Sequence, residues 1–477
     1  MAEARVPFED RVVEKTTFNG IKVLIYERHN SPTVGIHMIF RTGSVDDPVG
    51  KGGLAHLFEH MMFKGTETVG TRDFKREQPI LLRIDQLHER LRQIASDTPE
   101  RQQLNEELKT LEAEESELIV SNEFQKIYEK EGAVQDNAYT SADVTRYYVD
   151  IPSQKLELWA ILESDRLKHP VFRQFYSEVE VVKEEHRMRL EDNPENALAE
   201  RLCAEAFTKH PYRRPPLGTV EDLESATPQD LRRFYDRYYT PSHLIVAIVG
   251  DVNPAQVVAL VERYFGDWHT ETSAVIGPVP VEPVQETRRA AILDRPGQPQ
   301  IMIGFHMPTY PDPDYAAYFA LFHLLGNGPR SILYRHLVNE QQLAGQVSCI
   351  PFYPGERYPS LFVIRATAAP THSVHELERA IMTELERFAS TPLEDGQVHK
   401  VQPAIEVELS QTLLSNHAMA ARLAYYEAVN GTWRSIVVFH EAMAKLTPAD
   451  LQRVAKHLFV PSNETVVTLE PPPVTKP

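Results

Sequence analysis

His56, Glu59 and His60 stand in the order His-Leu-Phe-Glu-His. Placed four residues apart on a helix, the two imidazoles project from one face and can reach a single metal ion. Glu59 follows His56 by one turn and adjoins His60, so its carboxylate can sit beside that ion without ligating it. From there it can take a proton from an attacking water and later deliver it to a leaving amine. Gly50, Gly52 and Gly53 suit a loop entering the helix, and Leu54, Leu57, Phe58, Met61 and Met62 would bury it. Five residues alone also fit two helix histidines with ordinary hydrogen bonds, so the motif needs support from farther along the chain.

A catalytic zinc usually takes three protein ligands and keeps one position open. The stretch from Tyr176 to Met188 reads as an amphipathic helix in which Glu178 and Glu185, two turns apart, share a face with Val181 and Val182 between them. A carboxylate on a partly apolar face needs a partner or a metal. Glu185 is expected as the third ligand and Glu178 as the group that orients a histidine ring. Periodicity separates Glu185 poorly from its neighbour Glu184.

These residues must be positioned by a chain of 477 residues, too long for one ordinary hydrophobic core, so two or more domains are expected. Thr227-Pro228-Gln229-Asp230-Leu231 recurs as Thr447-Pro448-Ala449-Asp450-Leu451, and Pro241-Ser242 recurs in the same register as Pro461-Ser462. Each Thr-Pro opens a helix with a cap and a first-turn proline. Each Pro-Ser precedes a buried strand, Leu244 to Val249 and Thr465 to Leu469. The chain reads as two diverged copies of one α+β unit, residues 1–272 and 289–477. The proline-containing stretch 273–288 between them is read as a linker. Apolar residues at Ile80, Ile84, Leu87, Leu91 and Ile94, then at Leu104, Leu108, Leu111 and Leu118, mark two helices broken at Ser96-Asp97-Thr98-Pro99. This charged hairpin, about 77–124, reads as a solvated protrusion from the first unit or a partner contact, with no chemistry of its own.

A formal net charge of −18 argues against nucleic acid as a partner. No apolar run reaches the length of a membrane span. Cys203 and Cys349 are too few for a disulfide framework or a cysteine metal site and are expected to pack as small hydrophobes, with a single disulfide as the alternative. Residues 1–7 lack the apolar stretch of a secretory signal.

The H-x-x-E-H order resembles the inverzincin peptidases of the pitrilysin family. A distal Glu within a helix like that from Glu178 to Met188, preceded by another Glu two turns earlier, belongs to the same resemblance. In that family the distal Glu follows the motif at a shorter interval, and the hairpin accounts for the surplus as an insertion in the first domain. Asn137-Ala138-Tyr139-Thr140 resembles the edge strand that holds substrate backbone by strand addition. His210-Pro211-Tyr212 and Leu217-Gly218-Thr219 match a further recurrent stretch. The resemblance implies paired homologous domains, each a mainly antiparallel sheet flanked by helices. It implies one Zn²⁺ per chain on His56, His60 and Glu185, with Glu59 and Glu178 serving catalysis and Asn137 and Ala138 binding peptide.

One departure narrows the expectation. The segment from Ser331 through Gly345 aligns with one that in the family often carries an Arg and a Tyr, which bind substrate and stabilise the oxyanion. Here those positions are Val338 and Gly345. Some processing-peptidase-like members divide the work between two chains, and this sequence resembles the zinc-bearing one. The expectation is a zinc endopeptidase subunit that acts on peptides as a heterodimer with a homologous chain supplying the Arg/Tyr pair. The alternatives are a non-catalytic structural homologue, against which the intact ligand set argues, and a metal-containing peptide-binding clamp. A periplasmic location with the signal removed is expected, with the cytoplasm as the alternative.

Overall fold

The computed structural model describes residues 8–471 apart from 191, 270–277, 392–395 and 397–400. Among them, strands β1 (Val12–Thr16), β2 (Lys22–Glu27), β3 (Thr33–Phe40), β4 (Val134–Thr140), β5 (Thr145–Pro152) and β6 (Leu244–Gly250) form one sheet in the order β1-β2-β6-β3-β5-β4. Strands β7 (Arg289–Asp294), β8 (Gln300–Met307), β9 (Ala344–Tyr353), β10 (Ser360–Ala368) and β11 (Glu464–Glu470) form a second, in the order β7-β11-β8-β10-β9. Each sheet has one parallel pairing, β2 with β6 and β7 with β11, and is otherwise antiparallel. The fold is α+β with two related, mainly antiparallel sheets flanked by helices, as expected.

The helices that bear on the site are α1 (Leu54–Met61), α2 (Phe74–Gln93), α3 (Pro99–Leu118), α4 (Phe175–Leu190), α5 (Pro194–Ala206), α6 (Pro228–Tyr238), α7 (Asn416–Asn430) and α8 (Pro448–Leu458). The repeat has the same local chemistry twice. Thr227 and Thr447 cap α6 and α8, each exchanging hydrogen bonds with the Asp three residues on, and β6 and β11 follow the two Pro-Ser turns. In the hairpin, Ile84, Leu87 and Leu91 of α2 pack with Leu104 and Leu108 of α3, and Thr98 caps α3 by accepting the Arg101 N–H.

Strand β6 is buried at every position, which is why Leu244 to Val249 is continuously apolar rather than alternating. Leu244, Val246 and Ile248 face the core beneath α1, whereas Ile245, Ala247 and Val249 share a core with Met419, Leu423 and Ala424 of α7. That helix comes from the second half of the chain. Reciprocally, Leu198 and Leu202 of α5, from the first half, share a core with Met302, Val363 and Val467 of the second sheet. The strands divide where the linker was expected, but the covering helices cross that division in both directions.

Of the expected linker 273–288, residues 273–277 lie outside the described ones. The remainder is pinned: the Glu282 carboxylate accepts the backbone N–H groups of Thr208, Lys209 and His210, and Gln285 bonds to Glu464 and Thr465. Cys203 and Cys349 are both buried and free. Among the described residues no helix is long and apolar enough to cross a membrane.

Candidate metal centre and active site

Helix α1 is entered through Gly53, whose φ of +82° favours glycine, and a Cβ there would lie 2.3 Å from the Leu217 carbonyl oxygen. A Cβ on Gly218 would lie 2.1 Å from the Gly52 carbonyl oxygen. The Leu217-Gly218 stretch therefore closes on the loop that launches α1. The Asp47 carboxylate takes the N–H groups of Gly53 and Ala55, both at 2.8 Å, supplying the cap that Gly53 cannot. Leu54, Leu57, Phe58 and Met61 anchor α1 in the core, and the face carrying His56, Glu59 and His60 is left to meet α4 and β4.

The Nε2 atoms of His56 and His60 stand 3.7 and 3.4 Å from Glu185 Oε2 on α4. One ligating atom from each of the three residues lies within 4.8 Å of the others. Ligand atoms about 2.1 Å from a tetrahedral zinc stand about 3.4 Å apart, and the two separations from Glu185 Oε2 are close to that edge length. Two imidazoles and one carboxylate are also a donor set that zinc accepts with a position left over. The His60 Nδ1–H donates to Glu178 Oε1 at 2.9 Å, which fixes the ring and turns Nε2 inward. Glu178 also receives Lys64, so it acts on the ring and not on the cluster itself. Glu184 points away and pairs with Arg187 on the exposed side of α4.

The three carboxylates have different electrostatic settings. Burial raises the Glu59 carboxyl above its ordinary value, opposed by a hydrogen bond from Thr140 Oγ1 to Oε2 at 2.6 Å. Burial would likewise raise Glu178, but hydrogen bonds from His60 and Lys64 outweigh it and hold Glu178 low. Glu185 is held low chiefly by hydrogen bonding to His60. Burial pushes His56 down to about 4. It acts the same way on His60, yet the hydrogen bonds to Glu178 and Glu185 win and bring that ring up to about 9.

Asn137 and Ala138 lie on β4, the outer strand of the first sheet, paired only with β5. Asn137 Oδ1 accepts the Ala138 N–H at 2.8 Å. Thr140, at the end of the same strand, is the residue that bonds Glu59, so the edge strand and the carboxylate are coupled. Val338 lies in a helical turn over Tyr334–Glu340 and Gly345 in the edge strand β9, and neither side chain offers a hydrogen-bond donor.

Several contributors escaped sequence reasoning. Asp47 and Lys64 reach the site only through folding, and nothing in their spacing marks them; Thr140 stands in the edge-strand stretch read from the sequence, but its bond to Glu59 does not show there. Arg189, which binds Glu185 Oε1 at 2.6 Å, follows it by one helical turn and was detectable as an acid–base pair. Tyr212, from the His210-Pro211-Tyr212 stretch, donates to Asp143 Oδ1 just beyond β4, while Asp143 Oδ2 accepts the N–H groups of Glu356 and Arg357 from the second half.

Residues 22–78 and 108–220 match the family described as insulinase (peptidase family M16), and residues 225–404 match the peptidase M16 inactive domain. The residues skipped between 78 and 108 fall in the α2–α3 hairpin. The chain is 27% identical over 479 residues to the zinc protease PqqE of Helicobacter pylori, covering 98% of this chain and 94% of that one. The crystal structure of a protease from Helicobacter pylori superposes with a TM-score of 0.82 at 25% identity, covering 96% and 99% of the two chains. The first half of the periplasmic protease PqqL from Escherichia coli shares the fold, with a TM-score of 0.71 at 19% identity over 98% of this chain and 93% of that one. Both halves of this chain are thus built from peptidase domains of the M16 family, that of pitrilysin and insulinase, and its relatives include zinc proteases.

Proposed function

We propose that this chain is the zinc-bearing subunit of an endopeptidase, with zinc on His56, His60 and Glu185. The observation that carries the reading is the convergence of His56 Nε2, His60 Nε2 and Glu185 Oε2 beside Glu59 and an open sheet edge. Bound zinc supplies Lewis-acid polarisation of a carbonyl and acidifies water. An extended peptide adds to β4, where the Ala138 N–H exchanges its bond to Asn137 for one to substrate. Glu59, with its proton affinity raised by burial and its carboxylate aimed by Thr140, takes the proton of the attacking water and returns it to the departing amine. Glu178 keeps His60 oriented.

Val338 and Gly345 cannot stabilise an oxyanion, so a homologous partner chain supplies the Arg and Tyr that this chain lacks. The name of the Escherichia coli relative supports a periplasmic location. The decisive variant is Glu59→Gln. It should keep one zinc per chain and lose about 10²- to 10⁴-fold in peptide turnover, measured with the partner present. A peptide-binding clamp would instead keep its function in this variant. Peptide turnover by the purified single chain that no partner raises would sink the two-chain reading.

A further inference from the structure

Arg173 lies just before α4 and is 1% exposed, and Glu77, in the first turn of α2, is 0% exposed. The guanidinium Nε donates to Glu77 Oε1 at 2.6 Å and Nη2 to Oε2 at 3.1 Å. The remaining donors go to backbone carbonyls of one loop, with Nη1 reaching Lys64 at 2.7 Å and Val69 at 3.3 Å and Nη2 reaching Thr66 at 2.7 Å. All five N–H donors of an arginine are thereby used. The loop is shaped around the group. Gly65 and Gly70 have φ of +105° and +88°, and a Cβ on either would come within 2.6 or 3.0 Å of Arg173 Nη1.

That loop begins where α1 ends, and Arg173 stands where α4 begins. The loop is also sealed to the exit of the hairpin, through the Arg72 N–H to the Leu118 carbonyl and the Val120 N–H to the Gly70 carbonyl. Glu115, near the end of α3, accepts the Gln174 N–H at 3.1 Å, one residue before α4. The hairpin therefore grips the start of α4 from two sides, with Glu77 and with Glu115. Lys64 ties the joint to the site directly, since its carbonyl receives Arg173 while its ammonium binds Glu178.

We propose that Arg173 is a positioning residue for the metal centre, and that the α2–α3 hairpin acts through Arg173 and Gln174 as a brace holding α1 and α4 in register. The two helices contribute ligands from separate stretches of chain, and the Arg173 joint is where the end of one meets the start of the other. A lysine keeps the charge but has three donors on one nitrogen and cannot span the five acceptors. The proposal rests on the zinc reading above.

The test is zinc affinity of the full chain by competition with a chromogenic chelator, alongside far-UV circular dichroism and the melting temperature of the metal-free protein. R173K should weaken zinc by about 10- to 100-fold while the metal-free fold is retained. E77Q, which keeps the shape and one acceptor oxygen, should shift affinity the same way by less, and it decides the matter if R173K is not recovered folded. A purely structural role would lower the metal-free melting temperature and leave zinc affinity within twofold of the parent, which would overturn the proposal. A parent that binds no zinc removes the metal reading itself, whereas a zinc-binding parent with unaltered variants removes only the brace.

Discussion

His56 and His60 share a helix face but not an environment. Burial keeps His56 neutral, whereas Glu178 and Glu185 hold a proton on His60 up to about pH 9. A cation entering between His60 Nε2 and Glu185 must displace that proton, so affinity should rise with pH through neutrality. Near pH 7 about one proton should be released per zinc bound. Calorimetric titration in buffers of different ionisation enthalpy measures this, and identical heats in all buffers would contradict it. Glu178 supplies part of that environment through its hydrogen bond to Nδ1, on the far side of the ring from Nε2. Glu178→Ala should therefore weaken zinc by about 10- to 100-fold, read by equilibrium dialysis, and unchanged affinity would remove its orienting role.

Among the elements, α5 and α7 do the least expected thing, because each covers the sheet of the other half. Leu423 is fully buried between α7 and the first sheet, far in sequence from the metal motif. Leu423→Ala should cost about 2–5 kcal/mol in urea unfolding. Because the helix belongs to one half and its sheet to the other, the loss should appear in a single transition of the whole chain. A variant that unfolds in two separated steps, with the first half alone destabilised, would argue against that coupling. The hairpin is the converse case. Its helices were written in the spacing of Ile84, Leu87, Leu91, Leu104 and Leu108, but its grip on α4 depends on Arg173, Glu77 and Glu115 meeting across long stretches of chain.

Across the molecule, the exchange predicts that residues 1–272 expressed alone will aggregate, because removing α7 uncovers the apolar face of Ile245, Ala247 and Val249. Size-exclusion chromatography would show a folded monomer if this is wrong. The junction of the halves also carries a buried acid. Burial raises Glu356 to about 7 despite hydrogen bonds from Tyr315 and Tyr425. Between its unfolded value near 4.5 and about 7 the folded chain binds the extra proton, so this group makes stability fall as pH rises across that window. Glu356→Gln removes the decline. Its unfolding free energy relative to the parent should improve by roughly 2 kcal/mol from pH 5 to pH 7 in denaturant titrations, and a constant difference would exclude the effect.

Local chemistry was legible in the amino-acid order because it depends on near neighbours. The spacing of His56 and His60, the Thr-Pro caps at 227 and 447, and the apolar run of β6 each encode an interaction within a few residues, and each is present as read. Glu185 is preferred to Glu184 from its two-turn spacing to Glu178 and from the resemblance, but periodicity by itself separates the two poorly, because a helix one residue out of phase satisfies the same pattern. Only the approach of α4 to α1 turns Glu185 inward and leaves Glu184 with Arg187. The roles of Asp47 and Arg173, and the bond from Thr140 to Glu59, were invisible for a related reason: their partners lie on other elements, and a polar residue carries no mark of which distant group will satisfy it. The same indifference hid the crossing of α5 and α7, since an apolar helix face is equally at home on either sheet. Sequence determined which elements form and which residues can ligate, and tertiary packing decided which of them meet.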